Sequence, residues 1–497
     1  MSFVLSLLVF LPLVATPLIY FLTKMNRRWG IYSSFVLGVI IFLIAAYVSW
    51  KVYSAPPAPG QYLFQEKVPW INFKFVGLDY FLGVDGLSSP LLFASALLTV
   101  LVIAGSRKLI DHHEAEYYAL IFLFEGAIMG VFTSLNLILF YVFWEVVLIP
   151  MFFFIGVWGG PRRKYASMKF ILFTYAGSTI MLLGFLYFYM GMPSPSFDIP
   201  TIQAMLQNHQ IPVGLEYLPL LASFIGFAVK LPVVPFHTWL PDAHVEAPAP
   251  ISVLLAGVLL KMGGYGFLRI SIGLFPNAST QYAWVFLALG LFSMFYGAVA
   301  AILQKDLKKM IAFTSINHMG FVLFGAYATL VSGSMLGIQG AIFMMFAHAL
   351  AVGCLFMLSG YIHHQAGTRD IPSLKGLGST MPRTATVLVL ASGAAMALPP
   401  FATFLAEFMV ITAGISAYPI AAISVLVPVI TAGYFLWMIK RTVLSPPEGT
   451  GIHLHDMDWT DVAAFSAYLI PLVILIVSAY LILSPALPVA TFLKGLA

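Results

Sequence analysis

Charge is what this sequence is short of. Only 9% of its 497 residues are Asp, Glu, Lys or Arg, where a soluble domain carries roughly a quarter. A soluble globule is excluded. Cysteine is almost missing as well. The one residue, Cys354, lies in an apolar run, so neither a disulfide framework nor a cysteine-ligated metal or iron–sulfur site can be built, and it reads as a small buried side chain. No Gly-rich dinucleotide fingerprint and no haem motif occurs, so redox chemistry in this chain is not expected. No basic stretch precedes the first apolar run, Phe3 to Leu22, which therefore reads as a mature helix and not as a cleaved leader.

What is present is hydrophobic length. With 61% apolar residues and a mean hydropathy of +0.96, the chain is an all-α polytopic membrane protein. About fourteen runs are long enough to cross a bilayer, which takes about 20 residues each: 3–23, 31–50, 86–105, 117–133, 135–157, 166–190, 215–240, 248–272, 281–302, 311–331, 336–360, 384–416, 419–439 and 463–484. Two of them are interrupted. The stretch VKLPVVPFHTWLPDAHVEAP (229–248) sets Pro232 and Pro235 just after Lys230, and 384–416 is too long for one straight span and carries Pro399-Pro400. Proline removes a backbone donor and clashes with the preceding turn, so both are expected to be broken helices. Broken backbone at membrane depth survives only inside protein or beside water, which marks ion or substrate sites.

The basic residues orient the chain. Seventeen Lys and Arg residues fall after odd-numbered spans, from Lys24 and Arg27 through Lys305, Lys308 and Lys309 to Lys440 and Arg441; the other side holds Lys51, Lys67, Lys74, Arg269 and Lys494. The positive-inside rule puts the first set in the cytoplasm and both termini outside, as in a prokaryotic inner membrane. This distribution also argues against nucleic acid as the partner of a chain with net charge +5. Lys230 and Lys261 are left over, inside the membrane with Glu125, Glu145, Glu407, His318 and His348. A charge there costs several kcal/mol unless paired, hydrated or neutralised, and usually serves function. A snorkelling or satisfied side chain is the better reading for Glu125 and stays open for His348; for the set, a proton route is the better one. Lysine suits one because desolvation can bring its pKa toward neutrality, whereas arginine stays protonated. Glu145, in the first half with Lys230, is its natural modulating partner.

The segments LGVDGLSSP (82–90), FWEVVLIPMFFFIGVWGG (143–160), VKLPVVPFHTWLPDAHVEAPAPISVLLAGVLLKMGGYG (229–266), QKDLKKMIAFTSINHMGF (304–321) and FMMFAHALAVGCLFMLSG (343–360) resemble the antiporter-like subunits of respiratory complex I. The likeness spans essentially the whole chain. The family also includes large Mrp-type sodium/proton antiporter subunits and membrane-bound hydrogenase subunits. Within it, Glu407 in FLAEFMV, where other branches have lysine, and a chain stopping after its fourteenth span resemble the M-type (chain 4) branch.

The resemblance implies fourteen helices in which 113–272 (helices 4–8) and 281–441 (helices 9–13) form two inverted five-helix repeats, flanked by helices 1–3 (1–112) and helix 14 (442–497). Each repeat would contribute one broken helix. It also implies roles. Glu145 would be the modulating carboxylate, Lys230 the proton-loading lysine, and Lys261 the connecting lysine, linked through His318 and His348 to Glu407 at the outlet. His237, His244, Asp242 and Glu246 would hydrate and couple the break, and His237 and His244 lack the partners a metal would need. The implied activity is proton translocation driven by electron transfer in partner subunits that carry iron–sulfur clusters and FMN, with quinone as acceptor. The implied partners are L- and N-type membrane-arm chains and the bilayer. An Mrp-type antiporter or a hydrogenase ion-translocating subunit is the alternative.

Elsewhere the residues read structurally. Residues 51–75 make a polar, aromatic-rich outside hairpin, 191–210 a loop with a short interfacial helix, and 453–461 a solvated loop. Small residues in LLAGVLLKMGG suit close helix packing.

Overall fold

A computed structural model describes residues 3–73, 76–447 and 455–497; Lys74 and His453, which belong to two of the loops just named, lie outside the described residues. The chain begins with α1 (Val4–Met25), α2 (Arg27–Ser54), an antiparallel hairpin β1 (Leu63–Phe73) and β2 (Val76–Val84), α3 (Ser88–Leu109) and α4 (Glu114–Thr133). Next come α5 (Leu137–Val146) and α6 (Leu148–Trp158), two parts of one span, then α7 (Arg163–Gly191), the short α8 (Ile199–Gln207), α9 (Tyr217–Lys230) and α10 (Trp239–Glu246). One further span runs through α11 (Ala249–Leu254) and α12 (Leu260–Gly266), with π-helical turns at Leu255–Leu259 and Phe267–Ile272. The rest is α13 (Pro276–Gln281), α14 (Ala283–Ile302), α15 (Leu307–Ser332), α16 (Leu336–Ala366), α17 (Leu377–Thr380), α18 (Pro382–Ala395), α19 (Ala402–Ala417), α20 (Leu426–Thr442), α21 (Trp459–Val477) and α22 (Tyr480–Leu496).

Thirteen of the described helical segments are long and apolar enough to span a membrane. The pair α18 and α19, separated at Met396–Phe401, supplies the fourteenth crossing. Helix ends follow local chemistry. Asn26 accepts from the Arg28 N–H at the start of α2, Asp306 from the Lys309 N–H at the start of α15, and α15 and α16 stop at Gly333 and Gly367, whose φ of 71° and 69° suit glycine.

Both predicted breaks are present, and each recaptures the backbone groups it frees. After Lys230, the Leu231 N–H donates to the Phe227 carbonyl at 2.7 Å, the Trp239 indole N–H to the Val229 carbonyl at 2.8 Å, and the Val234 N–H to Ser293 Oγ at 3.1 Å. At the second break the Leu398 N–H reaches the Gly393 carbonyl at 3.0 Å and the Thr403 hydroxyl the Ala394 carbonyl at 2.5 Å. Protein encloses the first break from Leu231 to Val234, whereas Leu398, Pro399 and Pro400 at the second are exposed and its freed backbone is satisfied locally.

Two expectations change. The last span ends at Val477, not near 484, because Ser478 and Ala479 interrupt it; α22 then packs against α16, whose Gln339 amide donates to the Leu483 carbonyl, and Pro485 abuts Gly86 in the turn before α3. Arg269, counted among outside-loop residues, lies within the Ala249–Ile272 span and is buried.

Burial sorts the spans. The most hydropathic windows of α1, α2 and α21 are only about a third buried, and those of Ala249–Ile272, Leu307–Ser332 and Leu336–Ala366 are completely buried. A helix enclosed on all sides should be apolar all round. These three carry Lys261, His318 and His348.

Candidate functional site

The centre of the molecule holds a continuous row. Lys261 leaves α12 between two π-helical turns, a distortion that recurs at functional sites. Its Nζ donates to the Ala256 carbonyl and lies 2.6 Å from His348 Nδ1 on α16. The His348 ring meets the His318 ring of α15 edge to face, with centroids 5.3 Å apart. His318 Nε2 is in turn 3.6 Å from a carboxylate oxygen of Glu407 on α19, just past the second break. All four residues are at most 3% exposed. The 3.6 Å separation is beyond direct hydrogen-bond range, so transfer across it needs a small movement or a bridging molecule.

Lys230 stands apart from that row, at the last position of α9. Its Nζ faces the rings of Trp144 at 5.1 Å and Phe170 at 5.9 Å and has no hydrogen-bond partner among the described residues. Trp144 is the chain neighbour of Glu145, which brings the predicted partner to the same pocket but not into contact; no ion pair within 4.0 Å joins Glu145 to Lys230, and one Glu145 oxygen is buried without a partner. Gly263, two residues past Lys261, seats the first break: a Cβ there would lie 2.6 Å from the Leu231 nitrogen. The two lysines are thus fixed on backbones in direct contact.

The four residues flanking the first break divide by role. Asp242 pairs with Lys169 at 2.7 Å and approaches Arg162 at 3.9 Å, and Glu246 accepts the Arg162 N–H at 2.8 Å, so both acids tie the second half of the broken helix to the start of α7. His244 stacks flat on Phe356 at 4.3 Å, and His237 meets Tyr296 edge-on at 4.7 Å. Both His244 nitrogens and His237 Nδ1 lack a partner. So do both carboxylate oxygens of Glu407, both His318 nitrogens and His348 Nε2. An unpaired buried polar atom costs about 1–3 kcal/mol. These unpartnered atoms lie on the same row or at the first break, where static packing leaves them unsatisfied.

Three charged residues depart from their expected setting. Glu125 is neither snorkelling nor satisfied: α1 crosses α4 so closely that Gly126 abuts Leu13 and the Val9 carbonyl, and Glu125 is 1% exposed with neither oxygen partnered. Lys308, counted in a cytoplasmic loop, is buried in the first turn of α15 and donates to the Ala247 carbonyl beyond the first break. Arg269 pairs with Asp85 at 2.6 Å and reaches the hydroxyls of Tyr62 at 3.1 Å and Tyr265 at 3.2 Å. The signals were faint: Lys308 sits in a Lys-Lys pair that looks like loop, and Arg269 lies seven residues before α13.

Fold and row together define a polytopic membrane protein whose interior is crossed by ionisable groups running between two broken helices. Residues 134–432 match the sequence profile described as NADH:quinone oxidoreductase/Mrp antiporter, TM. NADH-quinone oxidoreductase subunit M of Rickettsia prowazekii (strain Madrid E) is 36% identical over 487 residues, covering 95% of this chain and 94% of that one. F(420)H(2) dehydrogenase subunit M of Methanosarcina mazei is 37% identical over 445 residues, covering 88% and 87%. Among solved structures, a chain of respiratory complex I from Thermus thermophilus with bound NADH superposes with a TM-score of 0.87 at 27% identity, over 99% of each chain. The chain belongs to the transmembrane NADH:quinone oxidoreductase/Mrp antiporter family.

Proposed function

We propose that this chain is the proton-translocating M-type subunit of a quinone oxidoreductase of the complex I kind. In this reading it holds no redox cofactor; electrons pass through iron–sulfur clusters and FMN in partner subunits to quinone, and L- and N-type chains flank it in a prokaryotic inner membrane, with both termini outside. The observation that carries the reading is the row Lys261, His348, His318 and Glu407, closed to solvent and walled by three fully buried spans.

The residues divide the work. A change in a neighbouring subunit moves Glu145 relative to Lys230; the approaching carboxylate favours the ammonium, and its withdrawal leaves a desolvated lysine that releases its proton. Residues 113–272 would be the inner half-channel and 281–441 the outer. The proton passes to Lys261, whose contact with His348 Nδ1 offers the imidazole as next acceptor, and His318 hands it to Glu407. Glu407, buried in an apolar site, carries it as a neutral carboxylic acid until charge repulsion from the row returns. His237 and His244 keep a proton-accepting surface at the first break.

The test is proton pumping measured against electron transfer in membranes carrying Lys230→Ala, with assembly followed on a native gel. Loss of pumping and of coupled turnover in an assembled complex is expected. Unchanged pumping per electron would make Lys230 structural and end this mechanism, and sodium flux without an electron donor would move the chain to the antiporter side of its family.

A further inference from the structure

A groove of about 860 Å³ opens on the flank of the bundle, away from the buried row, between α2 and α21 with α3 and α16 as its floor. Its walls are apolar and aromatic, from Tyr32 and Phe35 on one side to Phe465 on the other, with Met357 beneath. All four helices end at its mouth: α2 and α21 begin there, and α3 and α16 finish there. Counted along α2 from Arg28 to Phe35, the groove descends about 10 Å from that mouth into the apolar slab. That depth takes a headgroup and the first methylenes of a fatty acyl chain.

The mouth is basic, and its charges fall into two sets. Arg27 is bound to Glu114 at 2.6 Å, and Lys108 to Asp458 and Asp461 at 3.0 and 2.7 Å. Arg28 and Arg107, which line the same mouth, are exposed and have no carboxylate within 4.0 Å among the described residues. The neighbouring acids are already committed, so two guanidinium groups face the groove with their charge uncompensated. Guanidinium forks suit phosphate oxygens, and basic pockets between helices at a membrane face are where anionic lipid headgroups bind. A protein helix in the same place would have to bring its own acid to the mouth and leave the apolar depth evenly filled; a lipid satisfies both ends with one molecule.

We propose that this groove is a binding site for an anionic diacyl phospholipid, its phosphate held between Arg28 and Arg107 and its acyl chains laid along Tyr32, Phe35 and Met357. The site is independent of the proton row and stands or falls without it.

Cys354 is buried, so Tyr32→Cys supplies the accessible thiol of this chain for a fluorescent maleimide, and the parent complex labelled in the same way gives the partner-subunit background to be subtracted. The labelled full-length chain, in its assembled complex, is reconstituted into bilayers containing brominated phosphatidylglycerol or brominated phosphatidylethanolamine. Quenching by the anionic lipid should saturate at a several-fold lower mole fraction than quenching by the zwitterionic one. Each basic residue at an anionic surface is worth up to roughly five-fold, so the Arg28→Gln/Arg107→Gln double variant should lose the whole of that several-fold preference and make the two lipids equal. Equal quenching by both lipids in the parent protein overturns the proposal, as does a preference that survives in the double variant. A label that neither lipid reaches would assign the groove to a partner protein and overturn it too.

Discussion

Replacing Asp85 by alanine should strand a buried cation. Asp85 and Arg269 have side chains only 6% and 4% exposed and meet at 2.6 Å. The same carboxylate accepts the backbone N–H groups of Leu87 and Ser88 at 3.0 and 3.1 Å, so its removal also opens the turn into α3. Two guanidinium contacts survive, to the hydroxyls of Tyr62 and Tyr265, but neither carries a negative charge. Breaking one side of a buried pair costs about 3–5 kcal/mol, because the remaining charge is left uncompensated. Taking both charges away removes that penalty. Asp85→Ala should therefore destabilise by about 3–5 kcal/mol, and Asp85→Ala with Arg269→Met should recover about half of the loss. Stability can be read from denaturation of the purified protein in mixed micelles, followed by tryptophan fluorescence and treated as a double-mutant cycle. If Asp85→Ala costs under about 1 kcal/mol, or if the double variant costs the sum of the singles, the pair is not coupled and the reasoning fails.

Further outcomes are expected. Lys261→Arg keeps the charge but cannot release a proton, so an assembled complex should lose at least about ten-fold in coupled turnover; full activity would remove Lys261 from the route. Trp239→Phe keeps the ring and loses the indole bond to the Val229 carbonyl, which should cost about 1–3 kcal/mol in the same denaturation assay. Gly297→Ala would put a Cβ 2.5 Å from the Asn317 nitrogen, so α14 and α15 must part, at a cost of about 1–3 kcal/mol seen as a lower unfolding midpoint. At the start of α21, the Thr460 hydroxyl, the Asp461 N–H and Lys108 hold the Asp458 carboxyl below the usual carboxylate range. A depressed folded value means the stabilisation is present above the unfolded pKa of about 3.9 and is lost as pH falls through the folded one. The gap in stability between the parent and Asp458→Ala should therefore be open at pH 6 and narrow in strongly acidic buffer; a gap independent of pH would separate the cap from its charge.

Some of this protein was legible along the chain. Hydropathy is a local quantity, so fourteen crossings could be counted, and proline acts on its own turn, so both breaks fell where Pro232, Pro235 and Pro399-Pro400 said they would. Ionisable residues inside apolar runs were conspicuous for the same reason: their cost in a bilayer is paid wherever they point. What each one meets is another matter. Nothing near Lys261 in the chain names His348, 87 residues away, and only the packing of α12 against α15 and α16 sets the order Lys261, His348, His318, Glu407. The same packing holds Glu145 out of contact with Lys230, covers Glu125 with α1, and draws Arg269 and Lys308 from apparent loops into buried sites. Sequence by itself determined which groups are costly and how many spans carry them. Only the tertiary structure decided which of them are neighbours, because contact between helices depends on how their faces rotate and approach, and glycines such as Gly263 set that approach in three dimensions.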